Sequence, residues 1–260
     1  MKKWKWIGIV LVVGLVLTAF VGYKLYNRFQ KPIVNIEKGE SYYLYIPTGS
    51  TYDDVLSIFE QEDLILDMDF FKLLAERKKY PQKVKAGRYK LHSKMTANTL
   101  VNRLRLGIQD PVNITFNNLR FADQIVSKVC HKLELDSAVL MRMIRDEALM
   151  DEYGFDKQNF TSMFLPDTYE FFWNTNEKAC LDKMKKEYDK FWIEERKKKA
   201  EELGLTPQEV SVLASIVQSE TNKKDEMARV AGVYVNRIKK GMLLQSDPTV
   251  KFAIGDFSIT

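Results

Sequence analysis

Apolar and polar positions along this chain fall into three regimes. From Trp6 to Tyr23 no residue carries a charge, between Lys2, Lys3 and Lys5 on one side and Lys24, Arg28 and Lys31 on the other. A helix of that length rises about 27 Å, near the roughly 30 Å hydrocarbon core of a bilayer. The pattern predicts an N-terminal transmembrane helix within residues 1–30, and the early lysines favour a cytoplasmic N-terminus. A cleaved signal peptide is the alternative, against which the run is long and no A-x-A site follows it. No cysteine lies nearby, which excludes a lipoprotein anchor.

The second regime, residues 31–110, alternates short strands with short helices. After a polar linker from Lys31 to Glu40 comes the strand-like run Tyr42–Ile46, closed by Pro47-Thr-Gly49. Thr51 then reads as a helix N-cap with Asp54 three residues on, and Val55, Ile58 and Phe59 share one face. The unit recurs at Gly87-Arg-Tyr-Lys-Leu91, followed by Thr96 and a helix bearing Leu100, Leu104 and Leu106. A looser copy runs from Val112–Phe116 into Phe121–Leu133. Between them Phe70, Phe71, Leu73 and Leu74 follow a helical period whose basic end, Arg77-Lys78-Lys79, reads as a solvated face. Strand, turn and capped helix, repeated, predict α+β units that bury one sheet face under helices.

From Asp136 the pattern turns helical. Ala138–Leu149 reads as one amphipathic helix and Leu181–Leu203 as a longer, charged one, stabilised by pairs four residues apart along Glu194-Glu-Arg-Lys-Lys-Lys-Ala-Glu202. Gly204 stops it, and Thr206-Pro207 opens the next helix. Ahead of the charged helix lies Phe164-Leu-Pro-Asp-Thr-Tyr-Glu-Phe-Phe172. Its aromatics beside Asp167 suit either carbohydrate stacking, with Tyr169 as a platform, or a core strand with a turn.

The helix from Thr206 carries an apolar stripe, Val210, Leu213, Ile216 and Val217, on which Glu220 is the next position. A carboxyl held on a buried face has its pKa raised, as a general acid requires. If the helix instead frays near Asn222, Glu220 meets solvent. A second helix, Asp225–Lys240, bears Val230, Val233 and Tyr234, with Arg237 continuing the stripe. Gly241 ends it, and Gln245-Ser-Asp-Pro-Thr249 forms a Pro-stiffened polar loop between apolar runs. Antiparallel packing of the two helices brings Glu220 towards Asn236, Arg237 or the loop, as an active-site cleft or as a buried ion pair.

Composition narrows the chemistry. Forty Lys and Arg against 35 Asp and Glu give a net charge of +5, too mild for a dedicated nucleic-acid binder. Two histidines, His92 and His131, cannot build a three-histidine metal site, and Cys130 and Cys180 cannot build a Cys₄ site. The two cysteines leave room for one disulfide, which a chain of this size does not need. No Gly-rich phosphate loop and no G-x-S-x-G occur. Carboxylate chemistry is what remains, with no metal and no cofactor.

Three blocks resemble the hallmark segments of the MltG (YceG-like) endolytic murein transglycosylases: Leu213-Ala-Ser-Ile-Val-Gln-Ser-Glu-Thr221, Val230-Ala-Gly-Val-Tyr-Val-Asn-Arg-Ile238 and Gly241-Met-Leu-Leu-Gln-Ser-Asp-Pro-Thr-Val250. Phe164-Leu-Pro-Asp-Thr-Tyr169 and Lys85-Ala-Gly-Arg-Tyr89 resemble further family segments. The resemblance implies a single-pass inner-membrane protein with a LysM-like subdomain at 31–110 and a periplasmic, mainly helical α+β transglycosylase domain at 111–260. It implies Glu220 as the catalytic residue, with Gln218, Asn236, Arg237, Gln245, Ser246, Asp247, Thr249, Asp167 and Tyr169 contacting substrate. Gln218 stands where many members carry a second glutamate. The family's domain normally continues past the Asp-Pro-Thr-Val block, so the catalytic domain is expected to be C-terminally incomplete at Thr260.

The implied reaction is a one-carboxylate version of glycoside cleavage, which otherwise needs two. An acid protonates the oxygen between N-acetylmuramic acid and N-acetylglucosamine, and the muramyl C6 hydroxyl attacks its own anomeric carbon, leaving a 1,6-anhydro end. An intramolecular nucleophile has the advantage of orientation. The expected partners are peptidoglycan glycan strands, the membrane and peptidoglycan synthases, with no nucleic acid. The competing reading is a non-catalytic peptidoglycan-binding scaffold of the wall-synthesis machinery.

Overall fold

A computed structural model of the chain describes residues 14–16, 18–20, 22–24, 26–117 and 119–255. The described chain is α+β and mostly helical, and it divides into two units, residues 1–112 with 170–174 and residues 113–169 with 175–260.

In the first unit β1 (Ser41–Ile46) pairs antiparallel with β2 (Gly87–His92), with Leu44 opposite Tyr89 and Tyr42 opposite Leu91. The period of two turns Leu44, Ile46, Tyr89 and Leu91 inward and leaves Tyr43 and Tyr45 exposed. A two-stranded ribbon is marginal alone. Here α1 (Tyr52–Gln61), α2 (Met68–Arg77) and α3 (Ala97–Leu106) cover it with Val55, Phe59, Phe71, Leu100 and Leu104. Each fully buried side chain of this size contributes about 1.5–3 kcal/mol. The caps sit where the sequence puts them. Thr51 Oγ1 accepts from the Asp54 amide at 3.3 Å, and the Asp54 carboxylate accepts from the Thr51 amide at 2.7 Å. Thr96 Oγ1 accepts from the Thr99 amide at 3.3 Å. Gly87 enters β2 at φ +147, and a Cβ there would lie 2.2 Å from Cδ of Gln109, whose amide donates to the Ala86 carbonyl at 3.1 Å.

The transmembrane helix expected within residues 1–30 is corrected: among the described residues no helix is long and apolar enough to cross a membrane. Residues 1–13, 17, 21 and 25 of the expected span lie outside the described residues. The helical positions between 14 and 30 include Lys24, Asn27, Arg28 and Gln30. Arg28 is committed to Asp67, donating from Nε and Nη2 at 2.9 Å each, and its guanidinium lies 4.8 Å from the Phe70 ring centroid. That turn is polar and belongs to the first unit.

β3 (Val112–Phe116) and β4 (Asp167–Phe171), most of whose residues belong to the second unit, form another two-stranded sheet, with Thr115 and Thr168 hydroxyls 2.7 Å apart. Around it lie α4 (Ala122–Cys130), α5 (Ser137–Ile144), α6 (Glu147–Glu152) and a 3₁₀ turn, Phe160–Met163. The chain continues through α7 (Glu177–Phe191), α8 (Glu194–Glu202), α9 (Pro207–Glu220), α10 (Lys224–Lys239) and α11 (Asp247–Ile254). Phe116, Phe155, Phe160, Phe164 and Tyr188 pack edge to face with centroids 5.0–6.1 Å apart. Cys130 and Cys180 are free thiols.

Two helices expected to be continuous are broken. The span Ala138–Leu149 divides because Asp146 turns its carboxylate to the amides of Ala148 (2.9 Å) and Leu149 (3.3 Å), capping α6 in place of extending α5. The span Leu181–Leu203 divides at Trp192, which leaves helical geometry at ψ 65 and is only 6% exposed. Burying that indole outweighs continuing the helix. Downstream, Lys199 and Glu195 pair at 2.7 Å on an exposed face, the pairing the charge pattern predicts.

Candidate functional site

α9 starts on a capping box: Thr206 Oγ1 accepts from the Glu209 amide at 3.2 Å, and the Glu209 carboxylate accepts from the Thr206 amide at 2.7 Å. Pro207, which has no amide hydrogen to leave unpaired, fits the first turn. Most of the expected stripe is inward: Leu213, Ile216 and Val217 are buried, as is Tyr234 from α10, while Val210 is half-buried. Thr221 is extended (φ −145, ψ 140), so Glu220 is the last residue of the helix.

Glu220 is not buried. Its side chain is exposed, because the stripe ends with the helix one residue later; of the two placements open to it, solvent is the one found. Its neighbour is Tyr234, whose hydroxyl donates to Glu220 Oε2 at 3.3 Å. Tyr234 read in the sequence only as a member of an apolar stripe. The polar tip of a tyrosine facing the end of the preceding helix is the signal that reading lacks.

Arg237 and the loop after α10 form a second cluster. Arg237 Nη1 donates to the carbonyls of Leu243 (3.1 Å) and Leu244 (2.6 Å) and to Gln245 Oε1 (3.1 Å). Gln245 has φ +50, in the left-handed region that non-glycine residues seldom adopt. Ser246 is 2% exposed with no partner for its hydroxyl among the described residues, while its carbonyl accepts from Thr249 Oγ1 at 2.6 Å. The polar loop expected over Gln245–Thr249 is therefore shorter: Asp247-Pro-Thr already forms the first turn of α11, for which Pro248 is suited. Asn236 and Asp247 are exposed.

A cavity of about 1180 Å³ opens on another face of α9. Ser211, Ser215, Gln218 and Ser219 face it, with Asp167 and Tyr169 from β4 and Thr249 from α11. Three of those serines donate to backbone carbonyls of α9, at 2.7–3.0 Å, and keep their lone pairs. Tyr169 is largely buried and donates to the Leu165 carbonyl at 3.0 Å. Burial, then Asp167 and Glu187 nearby, push its hydroxyl up to about 12. Four of the expected contact residues, Gln218, Asp167, Tyr169 and Thr249, thus share one cavity, while Glu220, Asn236, Arg237, Gln245, Ser246 and Asp247 stand outside its lining. Lys190, Trp192, Arg196 and Lys199 also line it. They lie within the charged helix that the pattern predicts as exposed, where the juxtaposed Phe191-Trp192 is the signal that marks them.

The YceG-like family model matches residues 44–260. An endolytic murein transglycosylase of Streptococcus pneumoniae R6 is 25% identical over 278 residues, covering 95% of this chain and 50% of its own length. One from Bacillus subtilis 168 is 23% identical over 227 residues, covering 81% of this chain and 62% of its own. The chain thus spans about half to three-fifths of the length of these curated relatives. The crystal structure of a yceG-like protein from Listeria monocytogenes superposes with a TM-score of 0.50 at 22% identity, covering 85% of this chain and 78% of that one, a likeness of fold. On a match that extends from β1 through α11, this chain belongs to the YceG-like family.

Proposed function

We propose that this chain carries the glutamate-bearing part of an endolytic murein transglycosylase and works on glycan strands outside the cytoplasm, where murein lies. The names of its relatives support the substrate class. The observation that carries the reading is Glu220: an exposed carboxylate at the end of α9, held through one oxygen by a buried tyrosine. Gln218 and Ser219, immediately before it, face a cavity large enough for a polymer segment.

In this reading the Glu220 carboxyl gives a proton to the oxygen between N-acetylmuramic acid and N-acetylglucosamine. The C–O bond breaks, the muramyl C6 hydroxyl bonds to the anomeric carbon, and its proton returns to the carboxylate. A 1,6-anhydromuramyl end and a free N-acetylglucosamine hydroxyl result, with Glu220 regenerated and no water consumed. Tyr234 holds Oε2, and the stripe of Gln218 and serines offers hydrogen bonds to the strand. Residues 31–110 are assigned in the same proposal as a LysM-like glycan-holding subdomain and 111–260 as the catalytic portion.

Glu220→Gln keeps shape and hydrogen bonding but cannot donate the proton. It is expected to fold as the parent and lose about 10²–10⁴-fold in turnover. The assay is mass spectrometry of digested murein, counting 1,6-anhydromuramyl ends. Undiminished anhydro ends would remove Glu220 from the chemistry, and reducing ends in their place would make the activity hydrolytic. A second reading, a non-catalytic murein-binding scaffold, is favoured by the position of Glu220 outside the cavity lining. It predicts strand binding without new ends in either protein.

A further inference from the structure

We propose that the cavity of the second unit seats the peptide stem of a murein strand, its carboxylates against a cationic wall formed where α7 breaks into α8. The inference rests on murein being the substrate and names which part of it this cavity recognises.

Charge is the first observation. Arg120, Lys190, Arg196 and Lys199 line the cavity against two carboxylates, Asp167 and Glu187. Three of the four cations come from the break around Trp192. Arg196 is fixed there, donating to the Phe191 carbonyl at 2.5 Å with its guanidinium 4.1 Å from the Phe191 ring centroid. Lys190 reaches Glu187 at 2.7 Å, and Lys199 reaches Glu195, outside the lining, at 2.7 Å; both lysines remain more than half exposed. In a stem-bearing strand the N-acetylated sugars give such a wall no charge to select, because the muramyl lactyl carboxyl is tied up as an amide with the stem. The stem peptide does, through its free carboxylates.

An unpaired donor is the second. Trp192 is 6% exposed, and its indole Nε1 is buried with no hydrogen-bond partner among the described residues. An unsatisfied buried N–H is costly, and a peptide carbonyl or carboxylate that displaces the side chains covering it would satisfy it. The buried rings of Phe116, Phe164 and Tyr169 give the same cavity an apolar floor, suited to the methyl groups of alanine. At about 1180 Å³ the space exceeds the roughly 300–1,000 Å³ of an ordinary small-molecule pocket, as a chain-like ligand needs.

The test is a titration of the whole 260-residue chain, followed by calorimetry, with four probes: a free tetrapeptide stem, the same peptide with its carboxylates amidated, stem-bearing strands, and amidase-treated strands, in which a single lactyl carboxylate stands where each stem was. The free peptide should bind at least fivefold more tightly than the amidated one, and its affinity should fall as salt rises. Removing exposed cations should cost about two- to fivefold each, so Lys190→Gln with Lys199→Gln should cost near tenfold. Trp192→Phe keeps the ring and loses the donor, and should weaken the peptide several-fold with the thermal midpoint held. Equal binding of the two peptides, or indifference to all three substitutions, overturns the proposal. Stem-free strands that bind while the peptide does not would overturn it and leave the murein reading standing. Failure of strands with and without stems would remove both.

Discussion

The Tyr234 hydroxyl donates to Glu220 Oε2 at 3.3 Å across the short connection between α9 and α10, from a ring that is 6% exposed to a carboxylate that is open to solvent. One partner is fixed by the core and the other is free, so the bond restrains the glutamate without drying it. Tyr234→Phe keeps the ring in its core and removes only the restraint. The net worth of one such bond is about 0.5–1.5 kcal/mol, and stability should change by no more than that. Anhydro-end formation should fall by up to about tenfold in kcat, with KM for strands unchanged. A kcat equal to the parent's would leave the tyrosine a packing residue.

Alkaline stability follows from buried acids. Burial pushes the Cys180 thiol up to about 12, and it does the same for the hydroxyls of Tyr169 and Tyr188. In the unfolded chain a thiol loses its proton near about 8.5 and a phenol near about 10. The folded chain keeps these protons longer, so it binds more of them than the unfolded chain between those values and about 12, and stability declines with rising pH across that window. The contribution is complete below about pH 8.5. The thermal midpoint should therefore hold to pH 8, fall from pH 9, and fall faster past 10. Cys180→Val should flatten the portion between 9 and 10 and leave the steeper portion, in a calorimetric series over pH.

Gly87 tests the first unit. At φ +147 a side chain is strained, and its Cβ would overlap Gln109. Gly87→Ala should cost about 1–3 kcal/mol, read from urea midpoints. Combining it with Gln109→Ala removes the overlap but not the backbone strain, so the pair should cost less than the sum of the single changes. Strict additivity would mean that the strand opens to accept the methyl group.

What the sequence made legible depended on how local the cause is. The caps at Thr51, Thr96 and Thr206 and the strands around Leu44 and Tyr89 are decided within a few residues, and they fall where the pattern puts them. The breaks at Asp146 and Trp192 were missed because a carboxylate competing for amides and a buried indole overrode an unbroken helical period. Glu220 falls on the stripe the period marks, but periodicity gives direction and not where a helix stops, so burial and solvent stay open until Thr221 is seen to leave the helix. The gathering of Gln218, Asp167, Tyr169 and Thr249 around one cavity joins elements some 30 to 80 residues apart, which no local pattern records.

Arg237 separates two roles that the sequence could not. As a residue that grips substrate, its guanidinium would be free; here Nη1 is spent on Leu243, Leu244 and Gln245. Those acceptors hold the turn in which Gln245 takes φ +50 and Ser246 is buried. Arg237→Met keeps most of the stem and removes every donor, so it should cost about 1–3 kcal/mol and speed amide exchange across residues 243–249. Arg237→Lys supplies a point charge without the fork and should recover only part of that protection. In kinetics, a clamp that places Asp247 and Thr249 predicts a raised KM in step with faster exchange, variant by variant. A gripping residue predicts the other pattern: activity lost in both variants with exchange at 243–249 as slow as in the parent.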